Sequence, residues 1–113
     1  MSVPGILLKV DAVTVRVPDI DAGLRFYVDV LGHRVKWRND AIGQGGLELP
    51  DGDSELVLTT EHGYEPSWLV DSVDDAVEVF RSNGGHIIAG PFYIPVGRLG
   101  VVLDPFGNAL GRS

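Results

Sequence analysis

One order of elements, strand, helix and then three strands, occurs twice in this chain, and that duplication constrains its fold most. In the first half, residues 10–17 place Val13, Val15 and Val17 around Thr14 and Arg16, a period of two with β-branched side chains that predicts a strand. Pro18 ends it, because proline cannot donate to a sheet ladder. Asp19 and Asp21 suit a helix N-terminus. Ile20, Leu24, Tyr27, Val28 and Leu31 follow at helical spacing, and Gly32 supplies a left-handed stop. Residues 34–38 alternate around Val35 and Trp37 as a strand. Residues 39–46 are turn-rich, and Gly43-Gln-Gly-Gly46 reads as a flexible turn. Residues 47–49 and 55–59 are two more strands, joined by the turn Pro50-Asp-Gly-Asp53.

The pattern then restarts. Residues 67–70 form a short apolar strand, and Ser72-Val-Asp-Asp75 resembles a capping box. Val73, Ala76, Val77 and Phe80 make one helical stripe, closed by Asn83-Gly-Gly85. Residues 86–89 are a strand, Gly90-Pro91 a turn, residues 99–103 a strand, Asp104-Pro-Phe-Gly-Asn108 a turn, and Ala109-Leu110 open a last strand. Asp19 to Gly32 spans the same number of positions as Asp71 to Gly84.

A long period present only twice is not a solenoid; it reads as two equal modules. Each sheet has one face for its helix and a second face that must be covered or used. The expected fold class is therefore α+β, with two mixed-sheet modules forming a curved chamber, within one chain or across a homodimer. Module 1 covers about residues 10–60 and module 2 about residues 65–111 of a single domain, 1–113.

Composition narrows the function classes. No cysteine occurs among the 113 residues, which excludes disulfides, thiolate metal sites and cysteine nucleophiles. No apolar run approaches the roughly 18 residues of a membrane helix, so no membrane partner and a cytoplasmic location are expected. The net charge of −7 argues against nucleic acid, whose binding needs a cationic footprint. The charge is also uneven. No Lys or Arg occurs between Arg38 and Arg81, a stretch holding eleven of the acids, from Asp40 to Glu78. That stretch is either a solvated surface with helix N-terminal acids, or a site that attracts a cation.

With these residues in view, the chain resembles the vicinal oxygen chelate superfamily of glyoxalase I, bleomycin-resistance proteins, extradiol dioxygenases and methylmalonyl-CoA epimerase. The resemblance rests on Val13-Thr-Val-Arg-Val-Pro-Asp19, Phe26-Tyr-Val-Asp-Val-Leu-Gly32, Val73-Asp-Asp-Ala76, Asn83-Gly-Gly85, Gly90-Pro91, Gly97-Arg98 and Asp104-Pro-Phe-Gly-Asn108, and covers about residues 10 to 111. It implies paired βαβββ modules, usually in a dimer. In many members it implies a divalent metal held by four side chains, which acts as a Lewis acid on vicinal oxygens of the substrate. The positions it assigns to those ligands hold Ala12, Val57 (with Glu55 as the alternative), Glu65 and Gly111. A slip of one residue would offer Asp11, which points to the opposite face. His33, His62 and His86 are not spaced as a ligand set, and Gly-x-Ser-x-Gly and Walker-type loops are both absent.

No catalytic residue, metal or cofactor is therefore assigned. The sequence looks most like the metal-free bleomycin-resistance branch, which binds its drug without chemistry. The expected partner is a small molecule, and a cationic one where the acidic stretch faces the site. Strand parity places Thr14, Arg16, Glu55, Val57, Glu65 and Ser67 toward the chamber and Trp68 in the core. Trp37, Phe92 and Arg98 are further ligand-binding candidates; Arg98 either meets a ligand acid or pairs with a neighbour. Two other functions fit: a metal-dependent lyase, isomerase or dioxygenase using Glu55 and Glu65, or a degenerate module that pairs with another protein.

Overall fold

The structure is a computed structural model that describes residues 5–61, 63–94 and 97–112. His62 lies outside the described residues. The chain divides into two compact units, Asp11–Glu65 and Met1–Val10 with Pro66–Ser113. Each carries the order strand, helix, three strands.

In the first unit β1 (Lys9–Arg16) is followed by α1 (Ile20–Leu24), which runs on as a π-helical stretch, Arg25–Val30. Then come β2 (Arg34–Asn39), β3 (Gln44–Glu48) and β4 (Glu55–Thr59). The strands lie in the order β2-β3-β4-β1, with β1 parallel to β4 and the other pairs antiparallel. Asp19 caps α1 by accepting from the Ala22 N–H at 2.7 Å. Val17, Ile20, Leu47 and Leu58 form the core, with Val15, Leu24, Tyr27, Val28 and Leu56 packed against it.

Two expectations for this unit are corrected. Leu31, assigned to the helical stripe, is 49% exposed. The π-helical turn, in which the Leu31 N–H reaches back to the Phe26 carbonyl, inserts an extra residue and rotates it off the buried face. Residues 44–46, read as part of a flexible turn, are the first residues of β3 and pair on both sides.

The second unit contains β5 (Glu65–Leu69), α2 (Val73–Ser82), β6 (His86–Ile94), β7 (Gly97–Leu103) and β8 (Ala109–Arg112). Its strands lie in the order β5-β8-β7-β6, again mixed: β5 and β8 are parallel, the others antiparallel. Ser72 caps α2 through the Asp75 N–H at 3.2 Å. Val73, Ala76 and Val77 pack with Val70 and Val102, flanked by Leu7, Phe80 and Leu110, so the helical stripe read from the sequence is the buried one. Leu7 belongs to this unit, and the Leu8 N–H donates to the Leu69 carbonyl at 3.0 Å.

Gly90-Pro91 is not a turn. β6 continues through it to Ile94, with register shifts before and after. A strand at the edge of its sheet tolerates proline because its outer side needs no ladder donor. Trp68 is half-buried and stands outside the apolar cluster rather than within it. Its indole Nε1 is shielded from solvent without a partner among the described residues. Bulky tryptophan is rarely fully enclosed.

A candidate ligand-binding face

The register of the first unit sorts its side chains into two faces. Leu47, Leu56 and Leu58 go to α1. The opposite face carries successive cross-strand rows. Ala12 pairs with Glu55 and Glu55 with Glu48; Thr14 pairs with Val57, Val57 with Gly46, and Gly46 with Trp37; Arg16 pairs with Thr59 and Thr59 with Gln44. This alternation puts Glu55 and Val57 together on one side of β4, as their spacing predicts.

A bulge in β2 sets the geometry at the edge of this face. Val35 pairs with Leu47 and Trp37 with Gly46, with Lys36 as the extra residue between them. Val35 and Trp37, expected on one face by simple alternation, therefore lie on opposite faces. Lys36 and Trp37 both reach Glu55. The indole Nε1 donates to Glu55 Oε1 at 2.6 Å, and Lys36 Nζ lies 3.4 Å from Oε2.

Gly46 makes this possible. A Cβ added there would overlap the indole Nε1 and Cε2 and would lie 2.6 Å from Cδ1. The ring of Trp37 thus lies across the backbone of β3 on its way to β4. The result is an aromatic plate with a carboxylate fixed at its edge and Val57 beside it. Behind Glu55 the turn residues Gly52, Asp53 and Ser54 close a small concavity of about 210 Å³ with Lys36, Glu48 and Leu49. A larger concavity, about 560 Å³, opens at the start of α1. Its charged groups already serve the fold: Arg38 bridges Asp21 and Asp40 at 2.9 and 2.7 Å, and Asp19 caps the helix. The candidate site is therefore the face bearing Trp37.

The other residues singled out from the sequence are distributed as follows. Thr14 stands on this face, but its hydroxyl is used by the chain, lying 2.9 and 3.2 Å from the carbonyls of Gly63 and Glu65. Arg16 is exposed at the end of β1, opposite Thr59, and its side chain forms no ion pair with a described residue. In the second unit Ser67 pairs with Gly111 and Phe92 with Leu99. Leu99 alternates with Arg98 and Gly100, and a Cβ on Gly100 would meet Val73 and Val77 of α2. Phe92 is therefore on the face away from α2.

Arg98 is on the helix side, so the structure does not bring it to an open sheet face. Its guanidinium forms an ion pair with Asp74 of α2 at 2.8 Å and lies 4.4 Å from the Tyr93 ring centroid. The Asp74 hydrogen bond raises the guanidinium pKa above its ordinary value. Of the two roles open to Arg98, pairing with a neighbour is the one observed.

The donor set is a poor match to a divalent metal. Ala12, Val57 and Gly111 carry no ligating atom. Glu55 stands beside Ala12 and Val57, where its carboxylate is oriented by an indole N–H and an ammonium and supplies at most one ligand side chain; no group of three or more His, Asp or Glu gathers among the described residues. The acids of the central stretch are dispersed too. Asp74 meets Arg98, Glu78 meets Arg81, and Asp75 belongs to the α2 capping turn.

Solved structures with this fold are numerous. The chain is similar to methylmalonyl-CoA epimerase from Mycobacterium tuberculosis, at 18% identity and a TM-score of 0.73, covering 99% of this chain and 91% of that one. It is similar to a variant of homoprotocatechuate 2,3-dioxygenase from B. fuscum, at 23% identity and a TM-score of 0.73, covering 94% of this chain and 32% of that one. A glyoxalase/bleomycin resistance protein/dioxygenase superfamily member from Vibrio splendidus 12B01 matches at 17% identity and a TM-score of 0.68, covering 89% and 94%. No curated protein matches by sequence. The family model matches residues 9–111, and with the doubled strand–helix–three-strand order it establishes that this chain belongs to the Glyoxalase/Bleomycin resistance protein/Dioxygenase superfamily.

Proposed function

We propose that this protein binds a small organic molecule on the face carrying Trp37, Glu55 and Val57, and does so without a resident metal. The observation that carries this reading is the pair of donors on Glu55: Trp37 Nε1 at 2.6 Å and Lys36 Nζ at 3.4 Å. They occupy the one carboxylate beside the donor-less Ala12 and Val57. A site arranged this way presents an aromatic plate, an apolar floor and one oriented acceptor. These are the elements of a ligand pocket that relies on shape and a few polar groups.

In this reading residues 10–111 act as one ligand-binding domain, and the protein is a homodimer like the assemblies its resemblance implies. Binding takes the place of catalysis, in the manner of the drug-sequestering members named by the family.

Elemental analysis and ligand titration test the proposal together. The purified protein is expected to hold well under one equivalent of zinc, nickel, iron or manganese. Its melting temperature is expected to be unmoved by those ions and raised by a bound organic ligand. A bleomycin-class glycopeptide is one probe, with the part of the tryptophan fluorescence that is lost in Trp37→Phe as second readout. A tightly held metal near one equivalent, lost in Glu55→Ala and Glu65→Ala together with a lyase, isomerase or dioxygenase activity, would overturn it. Light scattering that gives a monomer at all concentrations would remove the homodimer.

A further inference from the structure

Charge is placed asymmetrically along the face that bears Trp37. At one end Glu55 is held by Trp37 and Lys36, with Glu48 and then Arg34 beyond it in the same cross-strand row. In the middle the row Thr14, Val57, Gly46 and Trp37 presents no charge, and the Thr14 hydroxyl is turned to backbone carbonyls. At the other end Arg16 sits opposite Thr59, exposed and without an ion-pair partner among the described residues. Glu55 and Thr59 are four residues apart on one strand, so the two ends are separated by about 13 Å.

From this arrangement we infer that the ligand is an elongated aromatic zwitterion, with a cationic N–H donor directed to Glu55, an aromatic body on Trp37 and Val57, and an acid group directed to Arg16. The inference rests on the small-molecule reading above and adds the ligand's charge pattern. Glu55 still has acceptor capacity, because a carboxylate offers about four lone-pair sites and only two donors face it. The Lys36 contact is long and half-exposed, so a ligand amidine or ammonium replaces it readily. Trp37 keeps the carboxylate oriented while this happens. Arg16 has the planar fork that recognises carboxylate or phosphate in bidentate fashion. A ligand carrying only positive charge would satisfy Glu55 and leave Arg16 facing a like charge.

Three matched probes test this: 4′-amidinobiphenyl-4-carboxylate, its methyl ester, which is only cationic, and biphenyl-4-carboxylate, which is only anionic. Each is titrated to millimolar concentration against the full-length ¹⁵N-labelled protein. The Trp37 indole N–H resonance is followed, assigned by its loss in Trp37→Phe. The zwitterion is expected to bind at least tenfold more tightly than either relative. Its advantage over the ester is expected to vanish in Arg16→Ala, and its advantage over the plain acid in Glu55→Gln. An ester that binds as tightly as the zwitterion, or an advantage that survives Arg16→Ala, overturns the zwitterion while leaving a small-molecule site at Trp37. If none of the three probes moves the Trp37 resonance, the face itself is not the site, and the reading it rests on falls as well.

Discussion

Trp37 Nε1 donates to Glu55 Oε1 across an intervening strand, at 2.6 Å. β2 and β4 are not neighbours: β3 lies between them. The contact exists because Gly46 of β3 has no side chain to hold the indole away. One glycine therefore couples the edge of the sheet to its interior and fixes the orientation of the carboxylate.

Gly46→Ala tests that coupling. The added methyl overlaps the indole, so the ring must leave its place or β3 must shift. The expected outcome is a loss of about 1–3 kcal/mol of stability, the usual cost of overpacking, with weakened ligand binding. Urea unfolding gives the first quantity, and a red shift of tryptophan emission reports the freed indole. An alanine variant with unchanged emission and unchanged stability would show that the indole does not depend on this gap.

Glu55 separates hydrogen bonding from charge. Glu55→Gln keeps a carbonyl oxygen for the indole N–H and loses only the half-exposed ion pair with Lys36. A change within about 1 kcal/mol is expected. Glu55→Leu leaves the part-buried indole N–H unpartnered and should cost about 1–3 kcal/mol. Equal stability of the two variants in denaturant titrations would contradict this ordering.

How far the sequence reveals this site depends on which contacts are local. The parity of β4, with Glu55 and Val57 on one side and Leu56 and Leu58 on the other, is written in a period of two and needs no tertiary information. The α2 stripe and the stops at Gly32 and Gly84, both at positive φ, are local in the same way. The bulge at Lys36 is not. It moves Trp37 to the face opposite Val35, and nothing in residues 34–38 distinguishes it from plain alternation. Glycines 45 and 46 read as a turn because glycine packs nothing in a strand. Here the lack of a side chain is the requirement, set by a tryptophan nine residues earlier. The signal that could have found it is the combination of a glycine pair before Leu47 with an upstream tryptophan in a neighbouring strand. Arg98 is a similar case, since its direction depends on Asp74, 24 residues away.

Removing the α2 cap is expected to cost stability. Ser72 accepts from the Asp75 N–H, and Ser72→Ala should destabilise the protein by about 1 kcal/mol. Trp37 fluorescence and ligand affinity are expected to remain as in the parent. An unchanged melting temperature in Ser72→Ala would show that the serine hydroxyl does not hold the helix end.

The turn between β7 and β8 carries the clearest pH dependence. Asp104 Oδ1 accepts from the Phe106 and Asn108 N–H groups at 2.9 and 2.8 Å, and Oδ2 accepts from Asn108 Nδ2 at 2.9 Å. The side-chain bond from Asn108, followed by its backbone bond, lowers the Asp104 pKa below the ordinary carboxylate value of 3.8. The folded state thus binds this proton less readily than the unfolded chain does. Its stabilising contribution is complete above the ordinary value and is lost as pH falls through the depressed one. Asp104→Ala should lower the melting temperature at pH 6 to 7, with the gap to the parent narrowing below pH 4. Melting curves taken in steps from pH 7 to pH 2 measure that gap. A difference that stays constant over the whole range would mean that the turn is held by its backbone bonds and not by the ionised carboxylate.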